Sequence, residues 1–231
     1  MRIIQLCFCL LFYLLCSCQD NKTVKEATIT EAKIIPKKEK EKPKKTTRPT
    51  KITNKNVVES LTVYGQENKE TKVKLETKFG DIEIQLYNDT PLHRANFIHI
   101  VKRGFLSETC FYRVAKDFVI QGGNSDKLSM AKIKNRIGKF TIPAEFKKHL
   151  KHNYGTVAMA RIWKGNPEKR SSPFEFYIIV DPKGSPHLNN EHTVIGYVTK
   201  GMQVAKKINQ LETDGSEWPI NDVYMTATVI E

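Results

Sequence analysis

Phe111-Tyr112-Arg113-Val114-Ala115-Lys116-Asp117-Phe118-Val119-Ile120-Gln121-Gly122-Gly123 sets two short apolar runs on either side of a polar turn, with one arginine and one glutamine among them. Cys110–Val114 and Phe118–Gly123 are too short for helices and read as strands joined by a tight connection. Upstream, Val73–Thr77 alternates apolar and polar residues, Lys78–Asp81 reads as a hairpin turn, and Ile82–Tyr87 alternates again. A helix then follows. Thr90 suits its N-cap, Pro91 its first position, and Leu92, Ala95, Ile98 and Val101 recur every third residue before Gly104 stops it.

Downstream lie strand-like pieces at Gly155–Ala160, Phe174–Val180 and Thr193–Val198, a helix at Met202–Leu211, and a last strand at Val223–Ile230. Many short strands with two helices predict a mainly β fold, a closed eight-stranded antiparallel barrel capped by those helices. Helices are too few for a doubly wound sheet. Cys110 is the one cysteine of this region, so no disulfide can staple it.

Five motifs, carried in order on four segments, resemble those of the cyclophilin-type peptidyl-prolyl isomerases. Phe111–Gly123 is similar to that family's Phe-His-Arg, four residues, Phe-Met-x-Gln-Gly-Gly. Gly155–Ala160 resembles Gly-x-x-x-Met-Ala, Phe174–Ile178 stands where Ser-Gln-Phe-Phe-Ile is usual, and Leu188–Gly196 where Leu-Asp-Gly-x-His-x-Val-Phe-Gly is usual. The resemblance implies a catalytic Arg113. It implies a proline pocket walled by Phe118, Val119, Tyr177 and Leu188, peptide groups held by Gln121 and by the backbone at Ala160 and Arg161, and His192 at the rim. Proline-containing polypeptides would be the substrates, with no metal or cofactor. Glu175 replaces the usual glutamine, and strand alternation places it with Tyr177 on the pocket face, where its carboxylate would pair with Arg113. That pairing keeps a second reading open, a proline-peptide-binding module of the cell envelope with weak catalysis. His187 stands where some members carry a tryptophan that contacts cyclosporin, so weak binding of that drug is expected.

The formal net charge is +13. Residues 19–60 hold twelve Lys or Arg against six Asp or Glu, a net +6, with no aromatic residue among the lysines to stack on bases. This composition predicts a solvated, disordered basic linker and no nucleic-acid partner. Before it, Arg2 precedes the apolar run Ile3–Leu15, which at ~1.5 Å per residue spans about 20 Å, too short for a hydrocarbon core. It suits a signal peptide. Leu15-Cys16-Ser17-Cys18 resembles a bacterial lipobox, implying cleavage after Ser17, a lipid on Cys18 and anchorage in the cell envelope. Gln19 in place of an aspartate points to the outer membrane, on either face. A plain signal peptide or an uncleaved anchor is the alternative. The expected divisions are thus a signal peptide over 1–17, a lipidated cysteine and linker over 18–72, and a monomeric isomerase domain over 73–231.

Overall fold

The structure, a computed structural model, describes residues 51–231. The signal peptide, the lipobox with Cys18 and the densest lysine run lie outside the described residues.

In chain order the elements are β1 (Ile52–Thr53), α1 (Val57–Glu67), β2 (Lys72–Thr77), β3 (Gly80–Leu86), α2 (Pro91–Lys102), β4 (Cys110–Ala115), β5 (Val119–Asn124), α3 (Met130–Ile137), β6 (Gly138–Lys139), β7 (Thr156–Met159), β8 (Phe176–Ile179), β9 (Val194–Lys200), α4 (Met202–Asn209) and β10 (Met225–Val229). Single 3-10 turns cover Leu106–Glu108 and Pro186–Leu188. Eight strands form one antiparallel sheet in the order β10-β2-β3-β9-β7-β8-β5-β4.

The sheet is an open half-barrel rather than the closed barrel expected. Its edge strands β4 and β10 meet only at their first residues, through one isolated bridge between Cys110 and Tyr224 and the hydrogen bonds Phe111 N to Val223 O (2.9 Å) and Met225 N to Thr109 O (3.2 Å). Beyond that point β10 runs along the 3-10 turn, where Ala227 N donates to Ser107 Oγ at 3.1 Å. The turn therefore occupies the place a continued β4 ladder would need.

The described residues carry four helices, not two. α3 lies in the stretch after β5 whose polar face masks its period. α1 lies inside the segment expected to be a disordered linker. Its Val57, Leu61 and Gly65 are buried, and it packs on α2, where a side chain at Gly65 would come within 3.1 Å of the Ala95 Cβ. The buried Arg94 of α2 donates to the carbonyls of Gly65 (2.9 Å), Asn68 (2.8 Å) and Glu70 (3.2 Å). It thereby satisfies groups that the end of α1 would otherwise leave without partners. Ile52 pairs with Gly138, so β1 and β6 form a two-stranded parallel sheet. A strand and a helix thus pack on the body from the segment that precedes residue 73.

α2 is capped differently from the expectation too. The Thr90 side chain makes no cap bond. Glu145 takes the amides of Leu92 (3.2 Å) and His93 (3.0 Å) in its place, an anion where the helix dipole favours one.

All four residues of β8 are buried, and they alternate between two cores. Phe176 and Ile178 enter the main core with Leu75, Ile82, Phe97 and Phe111. Tyr177 and Ile179 face the other way, into a smaller cluster with Val119, Ala158, Leu188 and Val194. This second cluster is the floor of the site.

Candidate active site

On the outer face of β4, β5, β7 and β8 lies a pocket of about 450 Å³. β4 supplies Arg113, the β4–β5 turn Phe118, β5 Val119 and Gln121, and β8 Tyr177. The chain after β7 supplies Ala160, Arg161 and Trp163, the second 3-10 turn His187 and Leu188, and the loop before β9 His192.

The β4–β5 turn is fixed from outside. Asp117 takes a left-handed conformation (φ 56°). The buried Asn209 at the end of α4 accepts from Asp117 N (2.8 Å) and donates to the carbonyls of Ala115 (2.8 Å) and Val119 (3.2 Å). Phe118 is thereby held over the slot, stacked on His187 with ring centroids 5.7 Å apart.

The floor is a polar relay beneath an apolar surface. Tyr177 presents its ring to the pocket, edge-on to His192 at 5.4 Å, while its hydroxyl reaches His152 Nε2 at 3.1 Å. The other His152 nitrogen meets Asn189 Oδ1 at 3.1 Å. The amide oxygen only accepts, so His152 carries its proton on Nδ1, and Nε2 accepts from Tyr177. Burial lowers the His152 pKa to about 4, against a smaller opposing effect of the Asn189 bond. Burial likewise lowers His192, whose Nδ1 donates to Met159 O at 3.0 Å. Burial also drives the Tyr177 hydroxyl well above its ordinary value. All three groups are neutral near pH 7.

Arg113 lies at the pocket edge and is partly exposed. Its Nε donates to Glu217 Oε2 at 2.6 Å, and Nη1 reaches Gln121 Oε1 at 3.5 Å. Gln121 Nε2 donates to the Tyr112 hydroxyl, which orients the amide with its oxygen toward the guanidinium. Glu217 sits in a left-handed conformation (φ 66°). The loop around it is tied by Asp214, which accepts from the amides of Ser216 (2.8 Å) and Trp218 (2.9 Å). Val114 N donates to Glu217 O at 2.8 Å, fastening this loop to β4.

Nine of the ten residues expected at the site line this pocket: Arg113, Phe118, Val119, Gln121, Ala160, Arg161, Tyr177, Leu188 and His192. Glu175 does not. β8 begins at Phe176, so strand alternation does not extend back to residue 175. At that point the Phe174 carbonyl is folded against Gly123, where a Cβ would stand 2.1 Å from it. The Glu175 carboxylate faces Lys134 Nζ of α3 at 3.5 Å, in a separate groove. The carboxylate paired with Arg113 is Glu217. At Ala160 the backbone is partly spoken for, since its N–H donates to Glu175 O (2.9 Å) and its carbonyl accepts from Ser172 N (2.8 Å).

Sequence reading missed Glu217, Trp163 and His152 as parts of the site, and treated His187 only as a replacement. Trp163 carried a usable signal, an aromatic residue in a polar loop. Glu217 carried none, being 104 residues from its partner.

The family described as Cyclophilin type peptidyl-prolyl cis-trans isomerase/CLD matches residues 72–230. Among curated proteins, the peptidyl-prolyl cis-trans isomerase cypE of Dictyostelium discoideum is 36% identical over 156 residues, covering 67% of this chain and 94% of its own. The peptidyl-prolyl cis-trans isomerase CYP18-2 of Arabidopsis thaliana is 30% identical over 161 residues, covering 69% and 93%. Among solved structures, a cyclophilin type peptidyl-prolyl cis-trans isomerase of Cryptosporidium parvum superposes with a TM-score of 0.60 at 22% identity, covering 70% of this chain and 98% of its own.

Proposed function

The chain belongs to the cyclophilin-type peptidyl-prolyl cis-trans isomerase family, and from that premise we propose that Arg113 is the group that lowers the barrier to X-Pro rotation. The peptide C–N bond resists rotation because of its partial double-bond character, with a barrier of ~20 kcal/mol. Twisting it ends the resonance and leaves a lone pair on the proline nitrogen. A donor aimed at that lone pair stabilises the twisted amide more than either planar form, which is the condition for catalysis. The guanidinium is permanently charged and offers five N–H donors. With Nε on Glu217 and Nη1 reaching Gln121, Nη2 and the second Nη1 hydrogen remain for the substrate. Phe118, Val119 and Leu188 grip the pyrrolidine ring, while Gln121 and the backbone near Arg161 hold the flanking peptide groups. No covalent intermediate is required.

The observation that carries this reading is an apolar slot, walled by Phe118, Val119 and Leu188, with Arg113 on its edge. Its test is cis–trans exchange of an Ala-Pro peptide followed by NMR with the full chain present. Exchange accelerated well above the uncatalysed rate is expected, and exchange left at that rate contradicts the proposal. A second reading, a binding module with weak catalysis, draws on the Glu217 carboxylate already paired with Arg113. It is favoured if peptide resonances shift on titration while exchange stays slow.

We place this activity in the bacterial cell envelope, on exported polypeptides, with the chain a monomer anchored by lipid on Cys18. The apolar run Ile3–Leu15 followed by Leu15-Cys16-Ser17-Cys18 supports this. Membrane fractionation tests it: Cys18→Ala is expected to release the protein from the membrane, and unchanged membrane association contradicts the anchor.

A further inference from the structure

Trp163 is 60% exposed, yet it is held in place. The Arg161 guanidinium lies 3.8 Å from its ring centroid, and the His192 ring approaches it nearly at right angles at 5.3 Å. Arg161 is itself fixed. Its side chain is 4% exposed, and it donates to Glu191 O (2.7 Å) and Glu191 Oε2 (2.6 Å). Glu191 is held in turn by Lys169 at 2.6 Å. The loop bearing the indole is clipped by Asn166, which donates to Ile162 O (2.9 Å) and Arg170 O (2.8 Å) and accepts from Arg170 N (2.9 Å).

A large apolar ring kept in water and kept rigid is a prepared contact surface. Its side-chain entropy is already lost before a ligand arrives, and burial of its open area on binding is favourable. The indole lines the same pocket as Arg113 and Phe118. At about 450 Å³ that pocket is in the range that holds more than a single small ring. One carboxylate, Glu191, bridges two cations, Arg161 and Lys169, so a net positive charge stays near the indole, and a Glu-flanked peptide is the control that separates charge from apolar recognition.

We propose that Trp163 forms a subsite for an aromatic or large aliphatic side chain adjacent to the substrate proline, making this isomerase selective for apolar X-Pro sequences. The inference rests on the pocket being the proline site. It deepens that reading by naming the substrate class.

The test is a panel of proline peptides with Phe, Leu, Ala or Glu flanking the proline, given to the full chain and to Trp163→Ala and Trp163→Phe. Both kcat/KM and Kd are measured. Phe- and Leu-flanked peptides are expected to be favoured over Ala-flanked ones by about tenfold. The ratio should fall to within twofold of unity in Trp163→Ala and persist in Trp163→Phe. A flat panel with the unaltered chain, a preference for Glu, or a preference that survives Trp163→Ala overturns the proposal. Because Kd reads the preference without turnover, an inactive chain that still prefers aromatic peptides contradicts the isomerase reading alone.

Discussion

Arg113 of β4 and Glu217 of the loop before β10 are joined by a hydrogen-bonded ion pair of 2.6 Å, Nε to Oε2, across 104 residues of sequence. The pair holds the Nε edge of the guanidinium on the loop, while Nη1 reaches Gln121 Oε1 at 3.5 Å beside the pocket that both residues line. Removing the carboxylate frees the side chain to leave that orientation. Glu217→Ala is therefore expected to lower kcat/KM about tenfold in a peptide isomerisation assay, because misplacing a reacting group is costly even when it is present. Glu217→Gln keeps an acceptor and should lose less. An Ala variant as active as the unaltered chain contradicts this positioning role.

Buried neutral histidines give a pH dependence of stability. The pKa of His152 is lowered to about 4 by burial, and that of His99 to about 4 by burial and then the Arg103 charge. In the unfolded chain both return to an ordinary value near 6.5. As pH falls from about 6.5 toward 4, the unfolded chain takes up protons that the folded one refuses, so stability falls across that window. Each histidine contributes a slope of up to about 1.4 kcal/mol per pH unit. Urea unfolding between pH 7 and 4 should show the decline, and His152→Gln should make it shallower while leaving the His99 contribution.

Arg94 ties α1 to the body through three backbone carbonyls. Arg94→Ala leaves them unpartnered at a buried interface and is expected to cost about 3 kcal/mol, given 1–3 for each orphaned group and partial rescue by water. The pocket is elsewhere, so peptide isomerisation at temperatures below unfolding should persist. Denaturant melts paired with the exchange assay check both halves.

His93 bonds Glu145 Oε2 through Nδ1 (2.6 Å) and Ser171 Oγ through Nε2 (2.9 Å), an order of groups also found in serine hydrolases. Here His93 and Ser171 are buried, and Glu145 is occupied with the start of α2. The array is structural. No ester hydrolysis is expected, and Glu145→Ala should cost about 2 kcal/mol of stability through the lost cap and the unpaired imidazole. Hydrolysis of an acetyl ester that Ser171→Ala abolishes would contradict this.

Local pattern carried most of the pocket. Val119, Tyr177 and Leu188 are legible through the family resemblance, because four short segments keep the family's order. What failed was set by the ends of elements and by distant pairing. Glu175 was assigned to the slot by starting the strand at Phe174, two residues before β8 begins. Closure of the barrel was inferred from strand number, whereas the 3-10 turn at Leu106–Glu108 keeps β4 from running along β10. α1 was hidden in a lysine-rich segment because Val57, Leu61, Tyr64 and Gly65 alone turn toward the body, too sparse a signal without Arg94 to receive it. Glu217 reaches Arg113 through a left-handed turn that no local pattern marks.

The most direct measurement is peptide isomerisation by Arg113→Ala and Arg113→Lys beside the unaltered chain, with peptide Kd determined for each. Stabilisation of the twisted amide by the guanidinium predicts a fall in kcat/KM of about 10²–10³-fold for Arg113→Ala, only partly restored by Lys, with peptide still bound. An Arg113→Ala chain that isomerises within threefold of the unaltered one would contradict the account.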